Sequence, residues 1–389
     1  MPNSRSSRTL LPHTSIKSIG ARLEGDERFS GRGVTIAFLD AGFFAHHDLV
    51  KPKNRIKAFH DVLSRQPPPH QLPPADVSSW HGMMTTSVAC GNGGLSHGRF
   101  RGLAHEAELV LVKVGSVSRI RHDDLTLGID WVCANRERYG IRVLNISAGG
   151  DYQASHLWDS LSRAAESAIR QGIVVVCAAG NAGHDPTHAV VPPASTPAVI
   201  TVGGFDDEHV DLEKCVPYHS SYGPTIDGVQ KPELIAPAIR IAAPILPDTP
   251  TAAQAGLIAE LTVADDTELH PLIDAHRGVD GELDAAKHLQ PYQLRQLIAA
   301  KRGSQKVISK YYKEVDGTSF AAPIVSSIVA QILEARPELG PAAIKRILID
   351  TAKRMPHVSI DRQGWGVVQP AAAVARALEW KPSGLPYAL

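Results

Sequence analysis

Cysteine is scarce: this chain of 389 residues has four, Cys90, Cys133, Cys177 and Cys215. No Cys-x-x-Cys pair occurs, which argues against a zinc or redox motif. So few cysteines, so widely spaced, make no disulfide framework for a chain this long. Cys90 and Cys177 sit in apolar stretches and read as small core residues. An excess of either charge is also missing. Forty Lys and Arg balance forty Asp and Glu, so charge predicts neither a nucleic-acid nor a membrane partner. No unbroken run of about 18 apolar residues is present to span a bilayer. The opening residues Met1 to Thr9 are polar and lack the apolar core of a signal peptide. The resulting expectation is a soluble, cytoplasmic protein. Internal repeats and low-complexity segments are absent too.

What is present is a hydrophobic fraction of 43%, enough for a sizeable core in one large domain or two smaller ones. Apolar runs at Val34–Leu39, Ala107–Val114, Val143–Ser147, Ile173–Ala178 and Ala198–Val202 read as buried strands. Helical spacing predicts helices from His81, over Asp124–Arg138, over His156–Gln171, from Ser319, over Pro341–Lys353 and over Ala371–Glu379. Strands alternating with helices predict an α/β fold, three-layer α/β/α with a mostly parallel central sheet. The chemistry then belongs in the loops after the strands. A short helix is expected around Ile19–Phe29, and the proline-rich stretch Gln66–Pro74 reads as an exposed loop.

The chain is organised around Asp316-Gly317-Thr318-Ser319-Phe320-Ala321-Ala322-Pro323. Ile324, Val325, Ile328, Val329, Ile332 and Leu333 recur at helical spacing, so a buried helix starts near Ser319, with Pro323 placed in its first turn. A serine there lies in the positive end of the helix dipole beside free N–H groups, which suits a nucleophile whose attack creates an oxyanion. Serine also caps ordinary helices, so the other partners decide. His81, opening an apolar helix with Gly82, can take and return the proton. Asp40, ending an apolar strand, can fix the tautomer of His81 and stabilise the imidazolium. Asn181, after a buried strand and Gly180, can project its amide into a cleft and donate to the oxyanion.

Asp40, His81 and Ser319 in this order, with Gly317-Thr318-Ser319-Phe320-Ala321-Ala322-Pro323, Ala178-Ala179-Gly180-Asn181, His81-Gly82 and Asp40-Ala41-Gly42, resemble the subtilisin-like serine proteases (subtilases, peptidase S8 family). The resemblance runs from about Leu11 to Val374, leaving out about Thr249–Lys310. It implies a serine endopeptidase acting on a peptide or protein substrate without a cofactor. It also implies that Ser147, Ala148 and Gly149 present backbone to the substrate. Three features depart from the family pattern. Met83 and Met84 follow His81-Gly82, and Ser87 stands where glycine is common; both changes are expected to reshape the cleft. Asp48 matches one usual calcium ligand, but the loop meant to supply the others carries Arg99 and Arg101. No metal is therefore expected there. Leu11-Pro12-His13 aligns with the start of mature family members, which leaves no room for a folding prodomain.

The expected division is an N-terminal arm (1–30), a catalytic domain (31–248 and 311–379), a helical insertion (249–310) and a C-terminal tail (380–389). The insertion is expected to hold three helices, Ala252–Leu261, Thr267–His276 and Pro291–Lys301. It lies between the turn Lys231–Pro237 and Gly317; two readings are open, a cluster packed on the flank of the core that adds only stability, and one bordering the cleft that controls substrate access or docks a regulatory partner. Two other functions fit the same residues: a peptide transacylase or ligase, and a degenerate peptide-binding module. Reaction with a serine-directed fluorophosphonate separates the last from an enzyme.

Overall fold

The computed structural model describes residues 16–64, 72–116, 118–185, 189–209 and 211–381. The expectations for Leu11–His13, for most of the proline-rich loop and for the end of the tail lie outside these residues.

The central sheet is built from β1 (Thr35–Asp40), β2 (Ile56–Asp61), β3 (Glu108–Lys113), β4 (Ile141–Ile146), β5 (Val174–Ala178), β6 (Ile200–Asp206), the short β7 (Val216–Pro217) and β8 (Leu234–Pro237). Its order is β8-β6-β5-β4-β1-β3-β2, with β7 beside β6. Every pairing is parallel except the antiparallel β6–β7. Successive side chains of a strand face opposite ways, and both faces here are covered. Ile36 and Phe38 point into a core shared with α1 (Ser79–Cys90), α8 (Thr318–Ala335), α9 (Pro341–Thr351) and α10 (Pro370–Leu378). Ala37 and Leu39 point into a second core with α2 (His122–Ala134) and α3 (Ser160–Arg170). This is the three-layer arrangement. Helix α8 is 18 residues long with mean hydropathy 1.3, enough by length and composition to cross a bilayer, yet 83% of it is buried inside the protein.

Several elements differ from the sequence reading. Leu234–Pro237, expected within a turn, is the last strand of the sheet, paired along its length with β6 and on its outer side only through a bridge from Ile235 to Val367. Proline is tolerated on an edge because it removes a donor that no neighbour needs. Ile56–Asp61 is a second edge strand, only half buried, so it lacks the continuous apolar run of its neighbours. The N-terminal helix is one turn, Ile19–Arg22. Helix α3 begins at Ser160, where Asp159 accepts from the Ser162 N–H.

Residues 249–310 hold four α-helices, α4 (Pro250–Val263), α5 (Leu269–Ala275), α6 (Gly281–Ala285) and α7 (Pro291–Ser304), with a 3-10 turn at Ala286–His288. Thr249 caps α4 and Asp280 caps α6, each by accepting backbone N–H groups. Their apolar stripes meet in a separate cluster of Leu257, Leu261, Leu269, Ile273, Leu283, Leu294 and Ile298. The stretch ends in a strand. β10 (Val307–Ser309) joins β9 (Ile241–Pro244) and β11 (Tyr312–Val315) in a small antiparallel sheet of order β9-β11-β10.

Candidate active site

Three adjacent strands, β5, β4 and β1, end at one edge of the sheet and deliver Asn181, Ser147 and Asp40 there. Asp40 is the last residue of β1 and only 1% exposed. Its carboxylate accepts from the Ala41 N–H (2.7 Å) and from the Thr85 hydroxyl (3.2 Å). Both its oxygens lie against His81 Nδ1, at 2.8 and 2.9 Å. A carboxylate only accepts, so Nδ1 carries the proton and Nε2 is left as the basic nitrogen. Gly82 makes this approach possible. A Cβ there would meet the Gly42 carbonyl oxygen at 2.2 Å and Asp40 Cβ at 2.9 Å. Burial works to lower the His81 pKa, but the charge and hydrogen bond of Asp40 outweigh it and hold the imidazole above its ordinary 6.5.

Ser319 is the second residue of α8, with Gly317 as N-cap at φ +135°. That backbone suits glycine. Among the described residues no acceptor engages the Ser319 N–H, as expected in a first turn. The Ser319 hydroxyl donates to the Ser147 carbonyl at 3.3 Å, and the Ser147 hydroxyl donates back to the Ser319 carbonyl at 3.0 Å. The His81 ring lies 5.8 Å from the ring of Phe320, the neighbour of Ser319. Pro323 sits in the second turn of α8, not the first. It therefore lacks the N–H that would normally reach the Ser319 carbonyl, and Ser147 supplies the missing donor.

Asn181 is exposed. Its Oδ1 accepts from both the Thr318 N–H and the Thr318 hydroxyl, each at 3.0 Å. A backbone N–H can only donate, which fixes the amide's orientation and leaves Nδ2 as the free donor. Ala148 and Gly149 run on from β4, and among the described residues no backbone hydrogen bond engages either. Their peptide groups are open to an extended partner chain.

Four supporting residues escaped the sequence reading. Thr85, one helical turn beyond His81, faces Asp40; Thr318 orients Asn181. Asn145 donates to the Ser147 hydroxyl at 3.0 Å and accepts from Ser326 at 2.9 Å, carrying a buried polar chain beneath Ser319. Its signal was available: an asparagine inside an apolar strand and a serine inside an apolar helix must find each other. Met83 and Met84 are buried in the core, at 0% and 4% exposure, so they fill the interior and do not reshape an open cleft. The Asp48 carboxylate accepts from the buried Tyr312 hydroxyl and, at 3.3 Å, from the Leu95 N–H. Among the described residues no group of three or more His, Cys, Asp or Glu is placed to hold a metal ion.

The chain matches the subtilase family over residues 31–366. It is 29% identical over 333 residues to the serine protease AprX of Bacillus subtilis (strain 168), covering 83% of this chain and 62% of AprX. Subtilisin-like protease 2 of Pseudogymnoascus destructans is 32% identical over 223 residues, 56% of this chain and 47% of that protein. The chain thus spans less than two thirds of either relative. Among solved structures, fervidolysin from Fervidobacterium pennivorans, a keratinolytic enzyme related to subtilisin, aligns with TM-score 0.59 at 22% identity. That alignment covers 90% of this chain and 43% of fervidolysin. The prenylagaramide maturation protease PagA aligns with TM-score 0.56 at 19% identity, over 92% of this chain and 96% of its own. These two likenesses concern the fold. The family match takes in β1, α1, the loop after β5 and the start of α8, and with it the chain belongs to the subtilases.

Proposed function

We propose that this subtilase is a serine endopeptidase that hydrolyses peptide bonds through an acyl-enzyme on Ser319. The observation that carries the reading is the buried Asp40 carboxylate against His81 Nδ1 at 2.8 Å, which leaves Nε2 basic. A substrate chain pairs its backbone with Ser147, Ala148 and Gly149. Rotation of the Ser319 hydroxyl away from the Ser147 carbonyl turns its proton toward His81 Nε2. The oxygen then attacks the scissile carbonyl carbon while Nε2 takes the proton. The oxyanion forms against Asn181 Nδ2 and the Ser319 N–H, and Asp40 stabilises the imidazolium. His81 passes the proton to the departing amine. Water repeats the sequence on the acyl-enzyme and frees Ser319.

The test is hydrolysis of casein and of a peptide amide by purified parent and Ser319→Ala proteins. The variant loses one hydroxyl at a helix start, so it should fold normally and lose hydrolysis. A folded Ser319→Ala protein cleaving at the parent rate overturns the mechanism.

A further inference from the structure

Asn181 is held by its side chain from one direction and by its backbone from another. The segment Tyr218–Ser221 lies along the loop Gly180–Gly183 and is joined to it by four hydrogen bonds. The Ser221 N–H donates to the Gly180 carbonyl at 2.9 Å and the Gly183 N–H to the His219 carbonyl at 3.0 Å. The Ala182 N–H donates to the Ser221 hydroxyl at 3.2 Å. His219 Nδ1 lies 2.8 Å from the Asn181 carbonyl oxygen. The approach is so close that a Cβ on Gly183 would meet the Ser220 carbonyl oxygen at 1.9 Å. Three of these bonds join neighbours of Asn181. Of the four, only the His219 bond is made to an atom of Asn181 itself, its carbonyl oxygen, while Ser221 holds the Ala182 N–H at the other end of the same peptide group. A carbonyl accepts, so His219 Nδ1 carries the proton and donates in either charge state of the ring. The ring is itself braced, 3.9 Å from the Tyr218 ring and 5.8 Å edge-on to His184.

We infer that His219 is a positioning residue for the oxyanion donor. It fixes the peptide of Asn181 from behind while Thr318 fixes the amide from the side, so that Nδ2 is aimed before the substrate arrives. Preorganised donors contribute most when their geometry is set in advance of the charge. The assignment rests on the proposed function, because it matters only if Asn181 donates to the oxyanion. It goes beyond the reading of Asp40, His81, Ser319 and Asn181 by adding a positioning side chain on a segment in which the sequence shows no catalytic motif.

The test is a double-mutant cycle on kcat and KM for a peptide amide. His219→Phe keeps the ring and its packing but has no Nδ1 donor. His219→Asn places an amide nitrogen at the same number of bonds from the backbone. His219→Phe should lower kcat about three- to tenfold with KM nearly unchanged, the loss expected for one partly exposed hydrogen bond. His219→Asn should recover most of it. In the Asn181→Ala background, His219→Phe should change kcat by less than about twofold, since its only route to the reaction is gone. Losses that multiply at full size in the double variant overturn the inference. So does a His219→Phe protein with parental kcat, or a His219→Asn protein no better than His219→Phe. Parent turnover and the single Asn181→Ala loss test the proposed function separately. If Asn181→Ala alone costs nothing, it is that reading of Asn181 that falls.

Discussion

Ser147 and Ser319 exchange hydrogen bonds, each hydroxyl donating to the other's carbonyl, at 3.0 and 3.3 Å. The end of β4 is thereby fastened to the start of α8, the two elements that carry Ser147 and Ser319. The bond from Ser147 also replaces the donor that Pro323 lacks. Ser147→Ala should leave the Ser319 carbonyl short of a donor and cost about 1–3 kcal/mol, with a several-fold loss of kcat. Pro323→Ala supplies an N–H at the position that reaches that carbonyl. The double variant should therefore be more stable to urea than Ser147→Ala alone. Equal stability of the two would mean that the exchange does not hold the helix start.

The pH profile follows from His81. The base must be neutral to accept a proton, and Asp40 holds its pKa above 6.5 against the effect of burial. The ascending limb of kcat/KM should be centred above 6.5, and Asp40→Asn should move it down while lowering kcat. Stability has the opposite sign. A raised folded pKa stabilises fully below the unfolded value, and that contribution is lost as pH rises through the folded one. A limb centred below 6.5 in the parent would contradict the electrostatic account of the pair.

Behind β6 lies a buried charge cluster that the sequence did not reveal. Lys231, 0% exposed, donates to Glu233 at 2.7 Å and to the Val199 carbonyl at 3.0 Å; Lys345 donates to the same carboxylate oxygen at 2.7 Å. Burial pushes the Lys231 pKa down to about 8, despite Glu233. Removing the one anion leaves two ammonium groups without a counter-charge, so Glu233→Gln should destabilise by about 3–5 kcal/mol. A urea midpoint within experimental error of the parent's would show that the carbonyl partners suffice.

The frame of the fold was legible in the sequence where local chemistry dictates it. Continuous apolar runs gave the inner strands of the sheet. The edge strands β2 and β8 were not legible, because a half-buried strand or one closed by Pro237 lacks that signature. Nor was the bracing around Asn181. Thr318 and His219 act through contacts 137 and 38 residues away in sequence, and no short motif records such distances. Pro323 was misplaced by one helical turn because the N-cap is Gly317, a position visible only from backbone angles.

Metal dependence is tested by chelation. Asp48 spends its carboxylate on Tyr312 and the Leu95 N–H, leaving little for a hard cation that wants several oxygens. Adding a calcium chelator should leave Tm nearly unchanged, since a ligand bound only to the folded state would raise it. Tyr312→Phe should lower Tm by stranding a buried carboxylate. A fall of many degrees on chelation alone would mean that a cation supports the fold elsewhere.

The helices α4–α7 lead into Lys306, which pairs with Asp316 three residues before Ser319. If they govern access to the cleft, replacing residues 250–304 by a short Gly/Ser linker, with β10 kept, should give a folded enzyme whose ratio of peptide to protein cleavage has changed. An unchanged ratio in a folded variant would assign the helices to stability alone.

The central claim is that Ser319 is an activated nucleophile. The most direct measurement is intact-mass and peptide mass spectrometry after brief exposure to a fluorophosphonate. The account predicts one adduct per chain, on Ser319, absent from Ser319→Ala and formed far more slowly by His81→Ala. No adduct on the folded parent, or an adduct on another residue that persists in Ser319→Ala, would contradict it.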